Sequence, residues 1–324
     1  MAGGHRSYIQ FAPETTAGTP VAALYKQEII PPFSLNIAAR PINDPSLYNS
    51  RNRRQIYQGP RLYRGRLNVR LNYEGIGVLE LLRTFLSGYS SSLVETGVRD
   101  HVFKLGTTMR TLTIEAGIGD IPTGKVFRAT GVIVENAEIG APAGEMLVLG
   151  LDIVAFDMTS DFTPTGALSF PTPNPVIYHQ ATTNDDGTAD TPLVRGFTLR
   201  IPQATSIEDA FYGSLTPADV EYTEIVDPVW EIRQRFKTMN LFNTARTHTD
   251  TSPKEIIKHT ATIGAASVRE FEIRSNKANL VGYTNTVEGY GPIESTANHQ
   301  AKDDIGGDDS SVVIRVRSTE SALP

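Results

Sequence analysis

Short segments in which apolar and polar residues alternate recur along the whole chain, and this period of two is typical of strands with one buried face. The clearest is residues 66–72, where Leu67, Val69 and Leu71 share one face. The same alternation is found at residues 33–37, 111–115, 147–156, 197–201, 230–236, 270–274 and 312–317. The pattern predicts a mainly β protein.

One region instead has the spacing of an amphipathic helix. Within residues 73–87, apolar side chains recur three and four positions apart, and Gly88 supplies a stop signal. The members of this apolar stripe are Val78, Leu79, Leu82, Phe85 and Leu86. A weaker helical pattern covers residues 206–212. We therefore expect at least one α-helix packed on the strands.

The predicted strands recur in the same order in the two halves of the chain. Residues 33–37 match 197–201 at an offset of 164, and residues 66–72 match 231–237 at an offset of 165. Later matches are 111–114 with 270–273, 131–140 with 291–300, and 151–156 with 313–318. This order favours a duplicated unit, although alternation carries little information and any two β segments can be superposed.

The repeat predicts two tandem, mainly β units, at residues 1–160 and 191–324. Residues 161–190 between them are rich in Pro and Gly, which is typical of a linker or a long surface loop. Each unit is expected to carry a long insert between its first two strands, at residues 40–63 and 202–228. Loops of this length inside compact domains are usually functional.

The two inserts carry opposite charge. Arginine and tyrosine, which anchor protein interfaces, are interleaved near the first insert, whereas the second is acidic. We predict that the two inserts attract neighbouring subunits; a nucleic-acid patch and a merely solvated loop are the alternatives for the first. The predicted interface residues are Arg51, Arg53, Arg54, Tyr57, Arg61, Tyr63, Arg64, Glu208, Asp209, Asp219, Glu221 and Glu224.

Sequence signatures of catalysis or of cofactor binding are missing. The chain has no cysteine, its six histidines form no ligand cluster, and no strand is followed by a glycine-rich phosphate loop. The acidic segments 184–187 and 303–309 lack the spacing of a calcium loop, so they predict solvated hairpins more readily than a cation site. We expect no enzymatic activity, no cofactor and no metal.

Charge and hydropathy limit the partners. The formal net charge is −6, with 30 basic and 36 acidic residues interspersed, which argues against tight binding of nucleic acid. No apolar run approaches the length of about 20 residues that a membrane-spanning helix needs. We expect no insertion into a membrane.

An ordered series of motifs in the first half resembles the tail tube proteins of long-tailed bacteriophages. The series begins with E-T-x-x-G-T-P at residues 14–20, which leads to Tyr25. It continues with G-x-L-x-V-x-L (65–71), G-I-G-x-L-E-L-L (75–82), H-x-F-x-L-G (101–106), T-L-T-I-E (111–115) and F-R-A-T-G-V-I-V-E (127–135). In the second half the resemblance rests on strand order.

The resemblance implies that the protein assembles in the cytoplasm of the host bacterium into rings that stack into the virion tail. Each unit would be a β-sandwich or barrel with one packed helix, and inner strands of neighbours would join into one larger barrel. A chain with two such units would form a trimeric, pseudo-sixfold ring, with a hexamer as the alternative. Implied partners are other copies of the chain, the tape measure, terminator and distal tail proteins, and double-stranded DNA passing through the channel. A two-domain β-sandwich that binds carbohydrate or a receptor is the alternative function, and a hydrolase on a β scaffold is a further one.

Overall fold

The computed structural model describes residues 7–39, 42–43, 56–57, 59, 61–117, 126–142, 144–166, 168–185, 188–190, 194–203, 205–207, 220–222, 226–236, 255–263, 267–286, 293–303 and 310–324. The helix α1 spans Ile76–Leu86, and a 3₁₀ turn lies at Tyr178–Gln180. Strands up to the middle of the chain are β1 (Tyr8–Pro13), β2 (Tyr25–Glu28), β3 (Ser34–Ala39), β4 (Ile42–Asn43), β5 (Ile56–Tyr57), β6 (Arg61–Arg70), β7 (Ser87–Glu95), β8 (Val98–Leu105), β9 (Leu112–Gly117), β10 (Val126–Pro142), β11 (Val148–Ala155) and β12 (Asp157–Phe162). The remaining strands are β13 (Ala181–Asp185), β14 (Thr188–Asp190), β15 (Val194–Pro202), β16 (Thr205–Ile207), β17 (Val220–Tyr222), β18 (Val229–Arg235), β19 (Glu255–Ile263), β20 (Ser267–Ser275), β21 (Lys277–Thr286), β22 (Glu294–Lys302) and β23 (Val313–Ser318).

The mainly β architecture expected from the alternating pattern is confirmed. Each of the eight segments singled out by alternation overlaps a strand, and the helix predicted within residues 73–87 is α1. The weaker helical prediction at residues 206–212 is wrong at its start, because Ser206 and Ile207 belong to β16. Residues 208–212 lie outside the described part of the chain.

Eight antiparallel strands form one continuous ladder in the order β3-β6-β11-β10-β15-β18-β22-β21. One face of this ladder is mainly apolar and buried, because most of the side chains that alternate toward it are hydrophobic. Its buried members include Leu67, Ile139, Leu151, Leu199 and Trp230. The long strand β10 also pairs through its first half with β9 and β12, so it connects the ladder to the group β2-β1-β9.

The ladder consists of two groups of four strands that have the same topology. β3-β6-β11-β10 is followed by β15-β18-β22-β21, with identical roles for the hairpins β10–β11 and β21–β22. Registers repeat as well: Leu35 faces Gly65 in the first group, and Leu199 faces Trp230 in the second. The offsets between these equivalent residues are 164 and 165, as in the sequence repeat.

A β-bulge occurs at the same place in both hairpins. The register shifts between Val134 and Asn136 in β10, and between Leu280 and Gly282 in β21, an offset of 146 in both cases. A bulge is a specific local feature, so its recurrence is more informative than alternation. Sheet position thus equates β10 with β21 and β11 with β22, whereas the sequence match paired β10 with β22 and β11 with β23.

The long inserts of the two halves each contain a two-stranded hairpin. In the first, Ile42 faces Tyr57; in the second, Thr205 faces Tyr222. The offsets of 163 and 165 continue those of the flanking strands. Both inserts leave the ladder at the same end, because β3 and β15 are separated by four antiparallel pairings and therefore run in the same direction.

A second sheet has the order β14-β13-β19-β20-β23-β8-β7 and mixes strands of both halves. The hairpin β7–β8 of the first half completes it by pairing β8 with β23, from Val313 opposite Lys104 to Ser318 opposite Arg99. The region predicted as a linker also packs against the first half. Val176 is fully buried, its N–H donates to the carbonyl oxygen of Leu71, and its carbonyl oxygen accepts from the N–H of Leu147. The two halves therefore share both sheets.

Helix α1 is buried on nearly all sides, which its apolar sequence allows. Gly77 lets it approach its neighbours closely, since a Cβ there would lie 3.3 Å from the Cβ of Tyr25. Glu80 is a charged residue on this mainly apolar helix and is fully buried. Its carboxylate oxygens lie 3.8 Å from the guanidinium of Arg83 and 4.0 Å from that of Arg110. Burial raises the pKa of Glu80, and the two arginines oppose that rise.

The conformation of the E-T-x-x-G-T-P segment depends on the carboxylate of Glu14. Its Oε2 accepts hydrogen bonds from the Gly18 N–H and the Thr111 hydroxyl, both at 2.8 Å. Its Oε1 accepts from the Thr113 hydroxyl at 2.8 Å and the Gly131 N–H at 2.9 Å. Gly18 and Gly131 both have positive φ, 75° and 61°, which explains the glycines of two separate motifs.

Glu14→Ala is expected to destabilise the chain by about 2–4 kcal/mol, because four donors lose one shared acceptor. Urea denaturation gives the free energy of unfolding, and hydrogen exchange at the Gly18 and Gly131 amides locates the loss. Glu14→Gln, which keeps one acceptor oxygen, serves as the matched variant with an intermediate cost. Unchanged amide protection in the alanine variant would contradict the prediction.

Candidate assembly surfaces

The eight-stranded ladder ends in β3 on one side and in β21 on the other. Among the described strands, β3 pairs only with β6, and β21 only with β22. Both terminal strands carry exposed apolar side chains: Ile37 is 58% exposed and Val281 is 50% exposed. Open edges of this kind are templates for pairing with another strand.

The junction between the two four-stranded groups, β10 against β15, occupies the middle of the ladder. It runs from Asn136 opposite Pro202 to Pro142 opposite Gly196. Gly140 permits the close approach, since a Cβ there would lie 2.7 Å from the carbonyl oxygen of Phe197. In this junction the last strand of one group pairs with the first strand of the next.

The side of the ladder opposite its buried face carries charged residues in cross-strand ion pairs, and we call it the polar face. On the first group, Arg66 of β6 contacts Asp152 of β11 at 3.2 Å and Glu138 of β10 at 3.3 Å. Gly150 leaves room for this arginine, because a Cβ there would lie 2.9 Å from the Arg66 guanidinium. Beside them, Arg64 contacts Glu135 at 3.1 Å.

The second group continues the polar face with three charged residues. Glu231 of β18 contacts Arg233 at 2.9 Å and Arg200 of β15 at 3.9 Å. The four arginines and four carboxylates named on the polar face balance in charge. An open depression of about 310 Å³ lies between the strands, with Arg66, Arg195 and Arg233 in its lining. Arg195 is in turn paired with Glu294.

The residues predicted for the subunit interface are only partly covered by the described chain. Tyr57 lies in β5 and is 49% exposed, and Arg61 and Arg64 are exposed at the start of β6. Tyr63 is 3% exposed and packs in the core, so its position corrects its assignment to a surface contact. Glu221 belongs to β17. Arg51, Arg53, Arg54, Glu208, Asp209, Asp219 and Glu224 lie outside the described residues.

Sequence reasoning missed the ion-paired positions, namely Arg66, Glu135, Glu138, Asp152, Arg200, Glu231 and Arg233. Alternation places them on one side of each strand, but their partners depend on which strands are neighbours. Within the described ranges, no group of histidine, aspartate and glutamate side chains could hold a metal ion. No helix among these residues is long and apolar enough to cross a membrane.

Comparison with known protein families identifies a match. A family model described as phage tail tube protein matches residues 4–313. The match extends over both four-stranded groups of the ladder and over nearly the whole chain. A search of curated proteins finds no matching sequence.

Proposed function

This chain belongs to the phage tail tube protein family, and we propose that rings of this structural tail protein stack into the tube through which DNA passes into the host. The observation that carries the proposal is the ladder itself. It begins and ends in open edges, and its middle junction supplies a template for joining one edge to the other.

The proposed ring depends on an internal duplication. Repeated strand order, repeated registers and the repeated bulge support two fused copies of one unit, at residues 1–160 and 191–324, which share their sheets. By this equivalence β21 corresponds to β10, and β3 corresponds to β15. An interchain seam between β21 and β3 of the next copy then repeats the internal junction of β10 with β15.

The equivalence fixes the register of this seam. Glu138 lies opposite Arg200 in the internal junction. Applying the offsets of the two strands places Thr284 opposite Asn36 of the neighbouring copy, and Tyr283 opposite Ile37. The seam would cover the exposed Ile37 and remove both open edges of every chain, which is how closed barrels avoid aggregation.

Barrel size favours three copies. Strands lie about 4.8 Å apart and tilt by about 40° in closed barrels. Three ladders supply about 24 strands and a backbone diameter of roughly 50 Å, whereas six ladders give roughly 100 Å. The smaller barrel already exceeds the width of a DNA double helix. The polar face would line the channel, because the apolar face of the ladder is covered by α1 and the second sheet.

Ring stacking would use the two inserts, which leave the ladder at one end. The basic first insert and the acidic second insert, with residues such as Arg51, Arg53, Glu208 and Asp209, would make complementary contacts between copies. Assembly in the host cytoplasm and contacts with the tape measure, terminator and distal tail proteins complete the proposal.

Disulfide trapping can test the seam without cross-links from native cysteines, since the chain contains no cysteine. N36C/T284C is expected to form disulfides between chains, because directly opposite residues in a β ladder have Cα atoms within bonding range. Non-reducing electrophoresis of oxidised assemblies should show a covalent trimer as the limiting species. Electron microscopy of end-on tubes should show threefold rather than strict sixfold symmetry.

Two variants serve as controls for the seam. E138C/R200C carries cysteines at the equivalent internal positions and should form the same bond within one chain, leaving a monomer on the gel. N36C/N285C is shifted by one residue, which directs one side chain to the other face of the sheet, and should not cross-link. A covalent hexamer would contradict the trimer. Equal cross-linking in the shifted variant would contradict the register.

A further inference from the structure

The polar face of the ladder combines two opposing properties. Its arginines are exposed: the side chains of Arg64, Arg200 and Arg233 are 58%, 56% and 59% accessible. Guanidinium groups on such a surface are suited to the phosphate oxygens of a nucleic acid. Every one of these arginines nevertheless contacts a carboxylate from its own strand or from a strand one or two places away in the ladder.

The positions of the carboxylates account for the pairing. Arg66 lies between Asp152 and Glu138, and crosses the glycine at position 150 to reach the second of them. Glu231 lies between Arg200 and Arg233. Three carboxylates on three strands thus hold three arginines. Exposed ion pairs of this kind contribute little to stability.

We infer that the polar face is a latent binding surface for the phosphates of double-stranded DNA, in which carboxylates neutralise Arg64, Arg66, Arg200 and Arg233. Binding to duplex DNA gains free energy from the counterions released when net positive charge meets phosphate. A paired arginine supplies no net charge and releases few counterions. DNA can therefore move along the face without being retained. The choice of DNA as the partner rests on the proposed function; the balance of charges does not.

Removing the carboxylates should expose the binding property. E138Q/D152N/E231Q keeps the shape of each side chain and leaves Arg66, Arg200 and Arg233 without their anionic partners. The unassembled variant is expected to bind a fluorescent 30-base-pair duplex at least tenfold more tightly than the unmodified chain in fluorescence anisotropy. The slope of log affinity against log salt should be about −2.7, or about 0.9 per freed arginine. Between 50 and 200 mM salt this corresponds to a loss of roughly 40-fold.

A matched variant separates this effect from the change in net charge. E145Q/D157N/D303N removes three exposed carboxylates that take part in none of the ion pairs named on the polar face, and it should bind no better than the unmodified chain. Adding R66Q/R200Q/R233Q to the first variant should abolish the acquired binding. E231Q alone frees two arginines and should give about two thirds of the salt slope. This single variant tests the inference even if the triple variant does not fold.

The outcomes separate this inference from the proposed function. If tubes form but neither carboxylate variant binds DNA more tightly than the matched variant, the latent surface is wrong and the tube proposal stands. If the carboxylate variants bind DNA but the unmodified chain forms no tubes, the surface stands and the tube proposal fails. Equal gains in the matched variant would also overturn the inference, because net charge alone would then explain the binding.

Discussion

Trp230→Ala is expected to destabilise the chain by about 3–5 kcal/mol, the usual cost of truncating a large buried aromatic residue. Trp230 is the largest fully buried side chain and packs against Phe197, with ring centroids 6.2 Å apart. Its indole N–H donates to the Ser275 hydroxyl at 2.9 Å, which joins the ladder to the second sheet. Truncation would open a cavity between the two sheets and remove this link. Urea denaturation followed by circular dichroism measures the loss.

Two further variants separate packing from hydrogen bonding. Trp230→Phe keeps an aromatic ring and should recover more than half of the lost stability. Ser275→Ala leaves the indole N–H buried without its acceptor and should cost about 1–3 kcal/mol. Replacement of the exposed Tyr178 by alanine should change stability by less than about 0.5 kcal/mol. A Trp230→Ala variant as stable as the Tyr178 variant would show that the two sheets are not held together at this point.

The sequence predicted the strands well because one face of each is buried, and burial is what alternation records. The segment around Leu67 and that around Leu199 are examples, since both lie in the ladder with their apolar side chains inward. Helix α1 was also predictable from its spacing. What alternation does not record is the identity of a strand's neighbours, because any strand of suitable pattern can occupy a given position.

Two features could not be predicted because they depend on which strands are neighbours. These are the equivalence of the later strands in the two halves and the ion pairs of the polar face. The sequence match paired β11 with β23, but β23 lies in the second sheet, where it pairs with β8 and β20. The bulge at Glu135 likewise depends on pairing with β11, and it turns this carboxylate toward Arg64. The basic run that suggested an interface mixes inserts and strand positions, so it included the buried Tyr63.

The equivalent positions Gly65 and Trp230 show how two similar halves can carry different residues. A Cβ at position 65 would lie 2.3 Å from the carbonyl oxygen of Ser34, so β3 and β6 approach too closely for any larger residue there. The equivalent position on β18 is filled by the only tryptophan of the chain. Under the proposed duplication, strand order and register persisted while core packing diverged.

Acidification from pH 6.5 to pH 4 is expected to remove roughly 6 kcal/mol of stability through two buried histidines. His259 and His299 are 1% and 2% exposed, and burial lowers the pKa of each to about 4. In the unfolded chain both return to an ordinary pKa near 6.5, so the unfolded state binds protons first as the pH falls. Stability is therefore complete above pH 6.5 and declines until about pH 4, by about 3 kcal/mol for each histidine.

The emission of Trp230 provides the measurement, because His299 lies directly opposite this tryptophan on β22. Urea midpoints recorded from pH 7 to pH 4 should fall steeply in the unmodified chain. H259Q/H299Q, which cannot be protonated at these positions, should show a much flatter profile even if its stability at pH 7 is lower. H179Q makes the same substitution at an exposed histidine and serves as the control for the change of residue type. Equal slopes in the double variant and the unmodified chain would assign the acid sensitivity to other groups. The fully buried His101 is the first of these to test, since burial lowers its pKa as well.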